Sequence, residues 1–219
     1  MSSLPYRLAC FDVDGTLVGK TIFVWETLHD ALGTDRDKRQ QGWDDYFSGR
    51  IPYSQWFEHD IALFRERGEV TRQRLLEAMA PLELVDGVHE VLQTLRDAGL
   101  RLAVVSGSLN IVLEKFELAD YFDDIFVNEL FFDSRGSLIG WRPTPFDLER
   151  KAVALDWLVA KYGLALSQTV FVGDNFNDVS IARHAGKAIA FNSTCAELIE
   201  CAAAHVPGGD LRDVLPHVL

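Results

Sequence analysis

Two aspartates one residue apart, Asp12 and Asp14, close the strand-like run RLACFDV and lead into the turn Asp14-Gly15-Thr16. Carboxylates beside an apolar strand are costly to bury unless something cationic sits with them. The pair therefore asks for a cation. Two more polar residues also follow predicted strands at once: Ser106 after LRLAVV and Asp174 after TVFVG. Taken singly, each is an ordinary turn or cap residue. In an open parallel sheet, however, the carboxyl ends of the strands form the ligand crevice, so separate loops would deliver all four to one place.

The elements that must position them alternate. RLACFDV is a strand; helix GVHEVLQTLRDAG leads to strand LRLAVVSG, and helix LNIVLEKFEL to strand DIFVNEL. FFDSRGSLIGW carries a hairpin signal at Arg135-Gly136. A long helix, FDLERKAVALDWLVAKYG, leads to strand TVFVGD; helix NDVSIARHAG leads to strand KAIAF, and two short helices close the chain. This alternation predicts an α/β fold, a Rossmann-like parallel sheet core with helices on both faces. Between Lys20 and about Ala80 the character changes to four aromatic-rich helical segments with no strand pattern. A small helical cap inserted after the first strand is expected there, residues 20–79, with residues 1–19 and 80–219 forming the core.

The chain has 219 residues, 48% hydrophobic and 25% charged, which suits one globular core with a small insert. A net charge of −12 argues against nucleic acid or an anionic membrane as partner. A small anion remains possible where a metal ion and a lysine reverse the field locally. Cys10, Cys195 and Cys201 form no CxxC pair, and no stretch reaches the roughly 18 apolar residues of a membrane span, so a cytoplasmic protein is expected. The six histidines, at 29, 59, 89, 184, 205 and 217, lack zinc-site spacing and read as surface or packing residues.

DVDGT (12–16), SGS (106–108), Lys151 and GDNFND (173–178) resemble, in order, the four motifs of the haloacid dehalogenase superfamily phosphatases. Within that group the chain resembles the phosphoserine phosphatase branch, with the helical insert just after the first motif. The resemblance implies a Mg²⁺-dependent phosphomonoesterase acting on a small-molecule phosphate ester, as monomer or homodimer. Mg²⁺ would be held by the carboxylates of Asp12 and Asp174 and the backbone carbonyl of Asp14. Asp12 would attack phosphorus to give an aspartyl-phosphate, and Asp14 would serve as general acid and base. Ser106, the Gly107 amide and Lys151 would hold the phosphoryl oxygens. Asn177 and Asp178 would support the metal and Lys151, with Asn177 also reaching phosphate. By pattern alone Lys151, early in a helix, reads as a solvated lysine; its role comes from the resemblance.

The insert departs from that branch. Where the branch holds the substrate ammonium with a glutamate, this chain has Thr21; where it holds the carboxylate with an arginine, this chain has Asp60. Asp60 with Trp25, Trp43, Tyr46 and Trp56 would line a pocket for a cationic or polyhydroxy leaving group. The same aromatics at helical spacing also suit the cap's own core, and Arg50, Arg65 or Arg67 could supply a carboxylate partner from a shifted register. Phosphotransfer to an acceptor alcohol and a silent phosphate sensor are the alternative functions.

Overall fold

The computed structural model describes residues 5–219, apart from the side chain of Glu149. Strand β1 (Leu8–Phe11) enters the centre of the molecule, and the short β2 (Val18–Gly19) follows. Helices α1 (Val24–Leu32), α2 (Arg36–Phe47), α3 (Tyr53–Glu66) and α4 (Arg72–Ala78) come next, then β3 (Glu83–Leu84). β2 and β3 pair antiparallel, so a two-stranded ribbon closes the base of the four-helix insert. Leu28, Phe57, Ile61, Phe64 and Leu75 of the insert are buried and join the apolar cluster on one face of the sheet.

The core continues with α5 (Val88–Asp97), β4 (Arg101–Leu109), α6 (Asn110–Lys115), β5 (Asp124–Phe132) and β6 (Leu138–Arg142). It finishes with α7 (Lys151–Tyr162), β7 (Thr169–Gly173), α8 (Val179–His184), β8 (Lys187–Phe191), α9 (Ala196–Cys201), β9 (Ala204–Val206) and α10 (Leu215–Val218). The sheet order is β6-β5-β4-β1-β7-β8-β9, parallel throughout except for the β5–β6 hairpin. Successive residues of β1 point to opposite faces, as the pleat requires. Ala9 and Phe11 join a core with the inner faces of α5 and α6. Leu8 and Cys10 join another with Ala154, Leu155 and Leu158 of α7 and Ile181 of α8. Helices thus cover both faces, and among the described residues none is long and apolar enough to cross a membrane.

The expected hairpin is present and adds an antiparallel edge to an otherwise parallel sheet. Other details differ from the sequence pattern. Strand β9 departs from that pattern: its three residues, Ala-His-Val, are too short a run to signal a strand and are recruited by pairing with β8. The long helix begins only at Lys151: Asp147 caps Leu148, whose φ of 51° is left-handed, and a tight turn replaces the expected first helical turn.

Candidate active site

At the carboxyl end of β1, the Asp12 amide donates to the Val172 carbonyl of β7 (3.0 Å), which fixes the strand end. Asp12 is buried and its Oδ1 lies 2.5 Å from Lys151 Nζ, whose other contact is Asp178 Oδ1 at 2.7 Å. Lys151 is 0% exposed, which excludes the solvated-lysine reading. Asp178 Oδ2 accepts from the amides of Asp174 and Asn175 (2.9 and 3.2 Å), and Thr16 donates to Asp174 Oδ1 (2.9 Å). Gly15, with φ +81°, must be glycine, because a Cβ there would collide with the Asp174 carboxylate. Oxygens of Asp12, Asp174 and Asp178 all lie within 4.8 Å of one another.

The second loop is formed by a slip in the ladder. β4 pairs with β5 in register up to Val105–Phe126 and resumes at Leu109–Asn128, so Ser106–Ser108 leave the ladder above the sheet. The Gly107 carbonyl accepts from Asn128 Nδ2 (2.7 Å) and from Trp25 Nε1 of the cap (3.0 Å), which pins the loop. Ser106 Oγ accepts from the Ser108 amide (3.1 Å), leaving its own hydrogen for another acceptor. Asp14 Oδ1 accepts from Ser108 Oγ and Oδ2 from the Val24 amide, both at 2.7 Å.

Burial pushes Asp14 up to about 6, with the Val24 and Ser108 donors pulling against it. Burial also drives Asp12 up to about 8, opposed by the Lys151 charge and reinforced by Asp178 and Asp14. Burial and the neighbouring Asp178 and Asp12 carboxylates push Asp174 up to about 9. Burial disfavours the Lys151 ammonium, yet Asp12, Asp178 and Asp147 outweigh it and hold Lys151 above the ordinary lysine range. Three clustered carboxylates thus face one ammonium, an excess of negative charge that a divalent cation would balance. The donors are all hard oxygens, and the buried Asn177 Oδ1, which has no partner among the described residues, adds a further acceptor. This set fits a hard divalent ion.

Residues 6–186 match the profile of the haloacid dehalogenase-like hydrolases. The chain belongs to the haloacid dehalogenase-like hydrolase family. It is 28% identical over 221 residues to a phosphoserine phosphatase of Methanocaldococcus jannaschii, covering 97% of each chain. It is 30% identical over 203 residues to a phosphoserine phosphatase of Mycobacterium tuberculosis, where 91% of this chain spans only 48% of that longer protein. A solved phospho-aspartyl intermediate analogue of phosphoserine phosphatase superposes with a TM-score of 0.75 at 25% identity, covering 98% of this chain and 99% of the other.

Within this hydrolase a cavity of about 570 Å³ separates cap from core. Asp12, Asp14, Ser106, Gly107 and Asn177 line its floor, and Trp25, Trp43, Trp56 and Asp60 are among its cap residues. Thr21 does not line it; its hydroxyl accepts from Thr27 instead (3.0 Å). Tyr46 also lies outside the lining, stacked on Trp56 at 4.7 Å. Asp60 is not a lone carboxylate. Its Oδ1 lies 3.3 Å from His29 Nε2 and 3.4 Å from His59 Nδ1. These imidazoles outweigh its burial and hold it below the usual carboxylate range, while Asp60 raises His59 in return.

Arg50, Arg65 and Arg67 are all absent from the lining: Arg50 is paired with Asp45 and Arg65 lies over Trp141. The cavity's arginines are Arg36 and Arg39 of α2, where Arg39 reaches Glu26 (3.0 Å) and Asp30 (3.9 Å). Sequence reasoning also missed Asp147, which lies against Gly107 so closely that a Cβ at that position would collide with it. It missed Tyr53, which accepts from Asn128 Nδ2 at 2.8 Å and ties α3 to the core. A polar residue four positions before Lys151 was the only local hint of Asp147.

Proposed function

We propose that this hydrolase is a Mg²⁺-dependent phosphomonoesterase that cleaves a small phosphate ester through an aspartyl-phosphate. The observation that carries the reading is the buried Asp12–Lys151–Asp178 array beside Asp174, opening onto a cavity that Asp14 also lines. The carboxylates of Asp12 and Asp174, with the Asp14 carbonyl, would hold Mg²⁺, which supplies charge neutralisation between nucleophile and phosphate. Asp12 forms the O–P bond as the ester P–O bond breaks, and Asp14 delivers its proton to the departing alkoxide. Asp14, now ionised, takes a proton from the attacking water. The aspartyl O–P bond then breaks, releasing phosphate and restoring both residues. Ser106, Gly107 and Lys151 neutralise charge on the phosphoryl oxygens. The free thiols of Cys10, Cys195 and Cys201 fit a reducing, cytosolic setting.

Titration tests the metal assignment. In the folded chain Asp12 and Asp174 keep protons that the unfolded chain has already released. Metal-free stability therefore falls as pH rises from about 4 towards about 8 to 9. Mg²⁺ binds the ionised carboxylates and offsets that loss, so its gain in melting temperature grows over the same window. A gain independent of pH, or none, contradicts a cation held by Asp12 and Asp174.

Asp14→Asn tests the acid. It should reduce kcat/KM, which reports the step that expels the leaving group, about 10²- to 10⁴-fold for alkyl phosphates and far less for 4-nitrophenyl phosphate, whose leaving group needs little protonation, while the shared hydrolysis of the aspartyl-phosphate slows alike for both. Equal losses would remove Asp14 from that role.

The altered cap is the finer part of the reading. Relatives named phosphoserine phosphatase raise phosphoserine as the first candidate. Asp60, buried with two imidazoles, offers no guanidinium for a carboxylate, and Arg39 is already bound by Glu26 and Asp30. Phosphoethanolamine, which lacks the carboxylate, should exceed phosphoserine in kcat/KM by about tenfold or more. Preference for phosphoserine would instead make Arg36 or Arg39 the carboxylate partner.

A further inference from the structure

We infer that Ser108 is a positioning residue for Asp14, holding the general acid and the phosphate-binding Ser106 in fixed relation; the inference rests on the phosphatase reading above. Ser108 is fully buried and uses both of its polar donors within the site. Its hydroxyl donates to Asp14 Oδ1 at 2.7 Å, and its amide donates to Ser106 Oγ at 3.1 Å. One residue therefore links a group expected at the leaving oxygen to one expected at the phosphoryl oxygens.

The geometry has a chemical consequence. Asp14 is a short side chain whose carboxyl plane would otherwise turn about its last bond, a broad two-fold torsion. Ser108 fixes one oxygen and the Val24 amide the other, so the plane is set from core and cap together. Each carboxylate oxygen retains a further lone pair, so the proton that Asp14 transfers still has a place. The Ser106 hydroxyl, already accepting from the Ser108 amide, is left to donate into the cavity that it lines. The Ser108 loop is itself rigid, because Asn128 and Trp25 both bind the Gly107 carbonyl. Fixing an acid in this way acts on the proton-transfer step and leaves displacement of an already stable anion nearly untouched.

Ser108→Ala removes only the hydroxyl and keeps the backbone amide. With Mg²⁺ present, kcat/KM, which excludes the shared hydrolysis of the aspartyl-phosphate, should fall about 10- to 100-fold for phosphoethanolamine and less than about threefold for 4-nitrophenyl phosphate, a fraction of the full general-acid effect. Ser108→Thr, which restores a hydroxyl, should recover most of the loss on the alkyl ester. A merely structural serine would lower both substrates together, so equal losses, or no loss on the alkyl ester, overturn the inference. Asp14→Asn in the same series separates this from failure of the underlying reading. If Asp14→Asn discriminates between the esters and Ser108→Ala does not, only the role of Ser108 falls. If Asp14→Asn does not discriminate either, the general-acid reading falls and takes this inference with it.

Discussion

Asp12→Asn should abolish turnover, by about 10³-fold or more, while leaving a folded protein. The amide cannot attack phosphorus and is a poor ligand for a hard cation. The fold should survive, since Asp12 is raised to about 8 by burial and by two neighbouring carboxylates, so losing its charge relieves repulsion as well as breaking a contact. Lys151 keeps Asp178 at 2.7 Å in the variant and is not left as an unpaired buried cation. Steady-state assays with Mg²⁺, alongside thermal unfolding, measure both halves. Activity above about 1% of wild type would mean that another residue attacks phosphorus.

Much of this site is legible in the sequence because strand ends are. Asp12, Ser106 and Asp174 follow apolar runs, and a parallel sheet brings such ends together whatever the loops do. What the sequence hides is contact across distance. Ser108 and Asp14 are 94 residues apart, and Lys151 and Asp12 are 139 apart, so no local pattern records either pair. The slip between β4 and β5 that lifts Ser106–Ser108 is likewise a property of two strands together. In the cap, His59 adjoins Asp60 on α3, but the imidazole of His29 reaches it from α1 only in the folded chain. The segment itself offers Asp60 one imidazole, and the folded chain holds it between two. The late start of α7 has a local cause, the Asp147-capped turn, but the left-handed Leu148 at its centre is not a residue that announces one.

Lys151→Met should damage stability and catalysis together, and the two losses have different repairs. Lys151 is fully buried, with Asp12 at 2.5 Å and Asp178 at 2.7 Å. Methionine fills much of the same volume but leaves two carboxylates facing each other without a counter-charge. Removing one member of such a buried array costs about 3–5 kcal/mol. The penalty belongs to ionised carboxylates, so it should be larger at pH 8 than at pH 5, where protonation relieves it. Adding Asp178→Asn removes one of the stranded charges and should recover part of the stability. The double variant will then be more stable than Lys151→Met alone, a coupling that independent sites do not show. Turnover should not return, because neither methionine nor asparagine supplies the positive charge that the phosphoryl oxygens require. Thermal unfolding at the two pH values and phosphate release from 4-nitrophenyl phosphate test this directly. Wild-type stability in Lys151→Met would show that Lys151 does not balance the buried carboxylates, and activity restored by Asp178→Asn would show that it balances charge without touching the transferred group. Loss of both, with only stability recovered, places the ammonium at the phosphate as well as between the aspartates.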